Sequence, residues 1–310
     1  MYRPTRSVRR FGSVPQCMRR WLLKYRYYGE SVATLLTAFD PPLRVVGMIT
    51  VKRPPGPTTI RERTSGLPFM VRGAGDIWSV KEAVPDRFYE RYGFRFGSGW
   101  TVLDIGAGLG EFAMLAARAD PANRVYAFEP FAGSFALLEE NARQNSLANV
   151  VAVCEAVGSA TGTLVLDPGR GEPSHVQSRH VSTAVEVPQR VVPSVSMQDL
   201  VIRFALESLD LVKLDCEGME YDILLNSPHW VLERIDRIVL EYHDAFTPHT
   251  HHDLVRFLER AGYVVETFPN QVHADLGYLR AARRHGAGAG AGAGATTGQP
   301  TPLHVDGRSL

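Results

Sequence analysis

Carboxylates recur at four places where the chain leaves an apolar run: Asp104, Glu129, Glu155 and Asp215. A carboxylate at the end of a buried strand can hold an ammonium group or accept from paired hydroxyls. The first of them lies in residues 101–110, TVLDIGAGLG, where Gly106, Gly108 and Gly110 follow the strand. Glycines there let the backbone approach a bound molecule and allow positive φ. A dinucleotide turn, G-x-G-x-x-G, would need glycine at position 111, which is Glu111. A pyrophosphate favours a helix N-terminus for its positive end, and Glu111 on that first turn opposes one. Asp104 is expected to take an amine. Glu129, about 20 residues past the glycines, is expected to accept both hydroxyls of a ribose. An amine and a ribose on one ligand describe S-adenosylmethionine (SAM); a merely solvated strand-end carboxylate is the alternative for Glu129.

A second dense stretch follows in residues 210–220, DLVKLDCEGME. Leu211, Val212 and Leu214 read as a buried strand with Asp215 at its carboxyl end, where open α/β sheets bind ligands. Glu217 and Glu220 either face that ligand or complement the dipole of the helix they open. The next strand ends at Glu241 and His243. An imidazole half neutral near pH 6.5 suits His243 to general base work. Asp215 stands slightly ahead of it as the base, with Glu217 as the third catalytic candidate. Glu155 and the Ala156 backbone, after a third strand at residues 150–153, are placed beside an adenine. His249, His251 and His252 lie on a loop after Pro248 and lack a strict ligand spacing, so no metal site is expected.

The elements that position these groups alternate strand and helix from residue 101 to about 280, which implies a mostly parallel sheet with helices on both faces. Phe112, Leu115, Ala116 and Ala119 form the apolar stripe of the first helix. Ahead of the sheet, residues 13–39 are expected to be helical, opened by Ser13 and Gln16 and ended by Pro41 and Pro42. Short strands are expected at 45–51, 58–63 and 68–71. Residues 77–92 are read as helical from about Pro85 and as a possible lid carrying Asp76, Trp78, Lys81 and Glu82 toward the site. Extra strands are expected at 163–166 and 185–195 around a polar loop. The organisation is thus a basic helix and small β extension over 1–75, a SAM-binding domain over 76–284, and a disordered Gly/Ala tail over 285–310.

With 310 residues and 45% hydrophobic content, the chain can bury one large core plus an accessory piece. A net charge of +1 supplies no field for nucleic acid. The eight Arg and Lys residues before Gly29, with no acid among them, read as a solvated face or as a contact for an anionic partner. Cys17, Cys154 and Cys216 form neither a disulfide framework nor a C-x-x-C, which fits a cytoplasmic location. No apolar run is long enough to span a bilayer, and a signal peptide is not expected.

VLDIGAGLG, VYAFEP, LVKLDCEGMEYDIL and IVLEYH together resemble the FkbM family of SAM-dependent methyltransferases over about residues 68–280. D-x-E-G-x-E after the fourth core strand is the most specific part. The resemblance implies the class I, Rossmann-like methyltransferase fold with a seven-stranded sheet. It implies methyl transfer to a hydroxyl of a small-molecule acceptor, a sugar or polyketide-type compound. Asp104, Gly106, Gly108 and Glu129 would hold SAM, with Gly110 completing the turn; Asp215, Glu217, Glu220, Glu241 and His243 would surround the acceptor. A non-catalytic SAM-binding protein, or methylation at N or C, is the alternative. A nucleotide-dependent oxidoreductase is disfavoured by Glu111.

Overall fold

The computed structural model describes residues 29–50, 56–166, 190–244, 247–270, 273 and 275–284. The expectations for the basic N-terminal segment, for the polar loop after Leu166 and for the Gly/Ala tail fall outside them.

The N-terminal part forms a small sheet of its own. Helix α1 (29–38) leads into β1 (Phe39–Asp40), α2 (Pro42–Thr50), β2 (Thr58–Glu62) and β3 (Pro68–Val71), with strand order β1-β2-β3. Residues 45–51 were expected as a strand from their β-branched content, and the structure corrects this for 45–50, which belong to helix α2. Val45 and Met48, three apart, are both buried, and Pro42 occupies the first turn, where its missing N–H costs nothing. Packing thus overrides a weak local preference. Helix α3 (Ala74–Ala83) begins and ends earlier than the expected start near Pro85; α4 (Phe88–Arg91) is a separate short turn. Asp76 anchors the start of α3 by accepting from the Arg72 backbone N–H at 2.6 Å and from its guanidinium.

The core follows as β4 (Thr101–Ile105), α5 (Glu111–Ala119), β5 (Arg124–Phe128), α6 (Ala132–Gln144), β6 (Val150–Val153), β7 (Ala156–Gly158), β8 (Gly162–Leu166), β9 (Arg190–Ser196), α7 (Met197–Arg203), β10 (Leu211–Leu214), α8 (Met219–Leu225), α9 (His229–Leu232), β11 (Arg237–His243), α10 (His251–Arg260), β12 (Tyr263–Pro269) and β13 (Leu276–Arg283). Seven of these strands form one sheet in the order β12-β13-β11-β10-β4-β5-β6, and β7-β9-β8 form a smaller one. In the large sheet only β13 runs against its neighbours. The sheet is the class I, Rossmann-like methyltransferase arrangement.

Two apolar layers cover it. Leu103 and Ile105 face the layer that holds Leu200, Tyr221, Leu224, Val231 and Leu254 from α7 to α10. Val102 faces the layer that holds Ile77, Phe112, Ala113 and Leu138 from α3, α5 and α6. Phe39, Ile60 and Phe69 of the small sheet belong to this second layer, so the N-terminal extension shares a core with the main sheet. The chain runs outward from β4 to β6, then returns to lay β10 on the other side of β4. That reversal leaves a crevice at the carboxyl ends of β4 and β10, the place where open α/β sheets hold ligands.

Candidate active site

A cavity of about 700 Å³ fills the crevice. Gly106, Gly108, Glu129, Asp215 and Glu241 line it from the strand ends, and Trp78 and Glu82 of α3 close one side. The lid expectation thus places Trp78 and Glu82 at the cavity. Lys81 instead pairs with Asp86 at 2.5 Å, and Asp76 with Arg72.

The glycine turn is dictated by sterics. Gly106 has φ 73°, and a Cβ on it would stand 1.9 Å from the Asp215 carbonyl oxygen, so β4 and β10 come together only because no side chain is there. Gly108 has φ 56° and faces the cavity. Gly110 was expected at the cofactor; a Cβ there would meet Leu138 Cδ1 at 2.5 Å, and it lies outside the lining. Its role is to let α5 pack on α6.

Glu129 is held in place by two backbone donors: Gly108 N–H to Oε2 and Phe131 N–H to Oε1, both at 2.9 Å. Burial raises its pKa to about 7, against these hydrogen bonds, which lower it. Asp104 was expected to meet a ligand amine, and the structure corrects this. Alternation along β4 turns it away from the cavity, it is fully buried, and the Lys213 ammonium lies 3.0 Å from Oδ1. Lys213 also donates to the Gly106 carbonyl at 2.7 Å and sits over the Tyr89 and Phe112 rings. Burial alone would lower the Lys213 pKa, but Asp104, Asp215 and Glu111 together raise it. Glu155 is likewise corrected. It is partly exposed, pairs with Arg203 at 2.7 Å and does not line the cavity, whereas Ala156 and Val157 do.

On the acceptor side, Tyr89 of α4 donates to Asp215 Oδ2 at 2.5 Å. Glu220 is fully buried and accepts from the backbone N–H groups of Cys216 and Gly218 at 2.7 and 2.9 Å, so it shapes the turn instead of lining the cavity. His243 stands between two acids, Nδ1 3.3 Å from Glu220 Oε1 and Nε2 3.7 Å from Glu217 Oε2. Burial would lower the His243 pKa, but Glu220, Glu241 and Asp215 push it to about 10. At neutral pH it is therefore an imidazolium. Glu241 titrates well above its ordinary value, through burial first and the neighbouring Asp215 second. Asp215, Glu241 and His243 each offer an atom within 4.8 Å of the others, the one grouping of metal-ligating type among the described residues. His249 lines the cavity, whereas His251 pairs with Asp244 at 2.7 Å.

Sequence reasoning missed Lys213 and Tyr89. A lysine inside the apolar run LVKL was the available signal for the first; nothing near Tyr89 in the sequence points to Asp215.

The family model described as "Methyltransferase FkbM domain" matches residues 104–265, over half of the chain. The chain belongs to the FkbM methyltransferase family. A Streptomyces tacrolimicus relative, "31-O-demethyl-FK506 methyltransferase FkbM", is 25% identical over 269 residues, covering 77% of this chain and 98% of its own. Among solved structures, the FkbM methyltransferase from Methylobacillus flagellatus aligns with TM-score 0.43 and 14% identity, over 66% of this chain and 53% of that one. M. jannaschii TYW2 in complex with AdoMet aligns with TM-score 0.39 and 17% identity, over 76% of this chain and 90% of that one. The FkbM family uses SAM. Among the described residues of this member, no helix is long and apolar enough to cross a membrane.

The lining fits SAM as a ligand. Seven acidic side chains and no lysine or arginine line the cavity among the described residues, which suits a molecule with a sulfonium and an ammonium, whose charge favours the ionised form of those acids that burial raises. Glu129, its orientation set by two backbone donors, can accept from vicinal hydroxyls.

Proposed function

We propose that this protein methylates a hydroxyl on a small, phosphate-free acceptor, a sugar or polyketide-type compound. The observation that carries the proposal is Asp215: it lines the cavity at the carboxyl end of β10, with Oδ2 held by Tyr89. The name of the Streptomyces tacrolimicus relative, which specifies an O-demethylated acceptor, supports oxygen as the target. The acid-rich lining argues against acceptors that carry phosphate.

When bound, SAM supplies a methyl carbon already activated by a positive sulfur, which leaves as a neutral thioether. The work left to the chain is to align the acceptor oxygen and remove its proton. Alignment can supply several kcal/mol. Asp215 takes the proton as the oxygen attacks, and a positioned base contributes about 10² to 10⁴ fold. His243, charged at neutral pH, is not the base in this scheme; its charge balances Glu217 and Glu220 and keeps the acceptor side of the cavity from accumulating uncompensated negative charge. Trp78, fixed by its hydrogen bond to Glu82 at 2.9 Å, offers an apolar wall to the acceptor.

The test is an acceptor screen with SAM, read by mass spectrometry as the gain of one methyl and the release of S-adenosylhomocysteine (SAH). Asp215→Asn should keep SAH affinity and lose about 100-fold or more in turnover. Wild-type turnover in that variant would remove Asp215 from the role of base.

A further inference from the structure

The ammonium partner anticipated on Asp104 has to be sought elsewhere, because that carboxylate lies outside the cavity lining and has Lys213 as its counter-ion, 3.0 Å from Oδ1. A second acid at the glycine turn has no such partner. Glu111, the first residue of α5, lines the cavity, and its Oε2 is out of contact with solvent and accepts no hydrogen bond. Among the described residues no lysine or arginine nitrogen lies within ion-pair distance of it. Its carboxylate lies across the open face of Gly108: a Cβ on that glycine would stand 3.5 Å from Oε2 and 3.6 Å from Oε1. The N–H of the same glycine binds Glu129 at 2.9 Å. One residue of the turn therefore touches both acids, with Glu129 on its N–H side and Glu111 on its Cα side.

Buried carboxylate oxygens without a donor are uncommon in folded proteins, and each calls for an explanation. SAM carries its ribose and its α-ammonium at two separated points of one molecule. We propose that Glu111, not Asp104, receives the α-ammonium group of the cofactor, while Glu129 receives the ribose. This rests on the cofactor lying in the cavity described above. It also explains why the residue that replaces the third dinucleotide glycine is an acid: the group brought to this helix start is a cation, not a phosphate. Without that cation, burial raises the Glu111 carboxyl to about 8, opposed by the nearby Lys213 and by the residue's own backbone N–H, and reinforced by Asp104 and Asp215. A docked ammonium would favour the carboxylate form instead.

Calorimetric titration separates this role from a structural one. Two ligands are used, SAH and an SAH analogue in which hydrogen replaces the α-amino group. Two proteins are compared, wild type and Glu111→Gln, which keeps the side-chain shape. Removing one partner of a charge-assisted hydrogen bond should weaken SAH binding by about 10- to 100-fold. The deamino analogue should bind the wild type more weakly than SAH does, and Glu111→Gln should cost it no further affinity. Glu111→Ala provides a second variant, expected to show the same pattern, and thermal melts of both check folding. Wild-type SAH affinity in Glu111→Gln would overturn the assignment, as would an equal loss for both ligands. A wild-type protein that bound neither ligand would overturn the placement of the cofactor itself.

Discussion

Replacing Lys213 by methionine removes one buried charge and little volume. In the native structure Lys213 is 3% exposed, and its ammonium lies 3.0 Å from Asp104 and donates to the Gly106 carbonyl at 2.7 Å. At 3.0 Å and an effective dielectric of about 20 the pair attracts by roughly 5 kcal/mol. The variant leaves Asp104 fully buried with no counter-charge, and breaking a buried pair in this way costs about 3–5 kcal/mol. The cost has a ceiling set by protonation. A carboxyl with an ordinary pKa near 3.9 can be neutralised at pH 7 for about 4 kcal/mol, and at pH 5 for about 1.5 kcal/mol. The sign follows: in the variant the folded Asp104 pKa rises, so stability relative to wild type is near normal at low pH and falls as pH increases. Urea unfolding of both proteins at pH 5, 6 and 7 should show the difference growing from about 1.5 to about 4 kcal/mol. Adding Asp104→Asn should restore most of the loss, because the orphaned charge is gone. A difference below about 1 kcal/mol at pH 7, a difference independent of pH, or no recovery in the double variant would each refute the idea that this pair is a buried, mutually dependent unit.

Gly106→Ala combines positive φ with a Cβ only 1.9 Å from the Asp215 carbonyl, so it should destabilise by about 3 kcal/mol or more and abolish SAH binding. Gly108→Ala meets nothing nearer than 3.5 Å, so its stability loss should be only about 1–2 kcal/mol; equal losses at the two positions in a thermal melt would contradict this account. The ligand-free protein should lose stability as pH rises from about 5 to 8. Glu129 and Glu111 hold their protons up to about 7 and about 8, above their unfolded values, so the stability they contribute is complete only below pH 4.5 and is lost on raising pH; His243, raised to about 10, adds to the same trend. Glu111→Gln should remove a few kcal/mol of that loss, and an unchanged pH profile of urea midpoints would count against it. Turnover should survive EDTA, since His243 is charged and its two nitrogens face Glu220 and Glu217; loss of activity on chelation, restored by a divalent ion, would turn Asp215, Glu241 and His243 into a metal site.

Much of the fold is local in origin and was readable along the chain. The strand, glycine turn and helix of residues 101–119 show themselves through apolar spacing and φ requirements, which involve neighbours a few residues apart. The same holds for Glu129 at the end of β5 and Asp215 at the end of β10, since the end of an apolar run marks the end of a strand. What each acid would face could not be read this way. Asp104 and Lys213 become partners because β10 returns to lie beside β4 in parallel, with Lys213 opposite Asp104 in the register. Side-chain alternation then sends Asp104 into the layer under α5 while the backbone around it lines the cavity. Glu155 follows a strand end as expected, but α7 brings Arg203 within 2.7 Å of it and takes it out of the site. Tyr89 reaches Asp215, and Glu111 Oε2 is left without a donor, only once α4 and α5 are packed against the same sheet. Spacing along the chain determined which residues stand at the active edge. Strand order and packing decided which of their charges were already neutralised, because ion pairs form between groups that are close in space and need not be close in sequence.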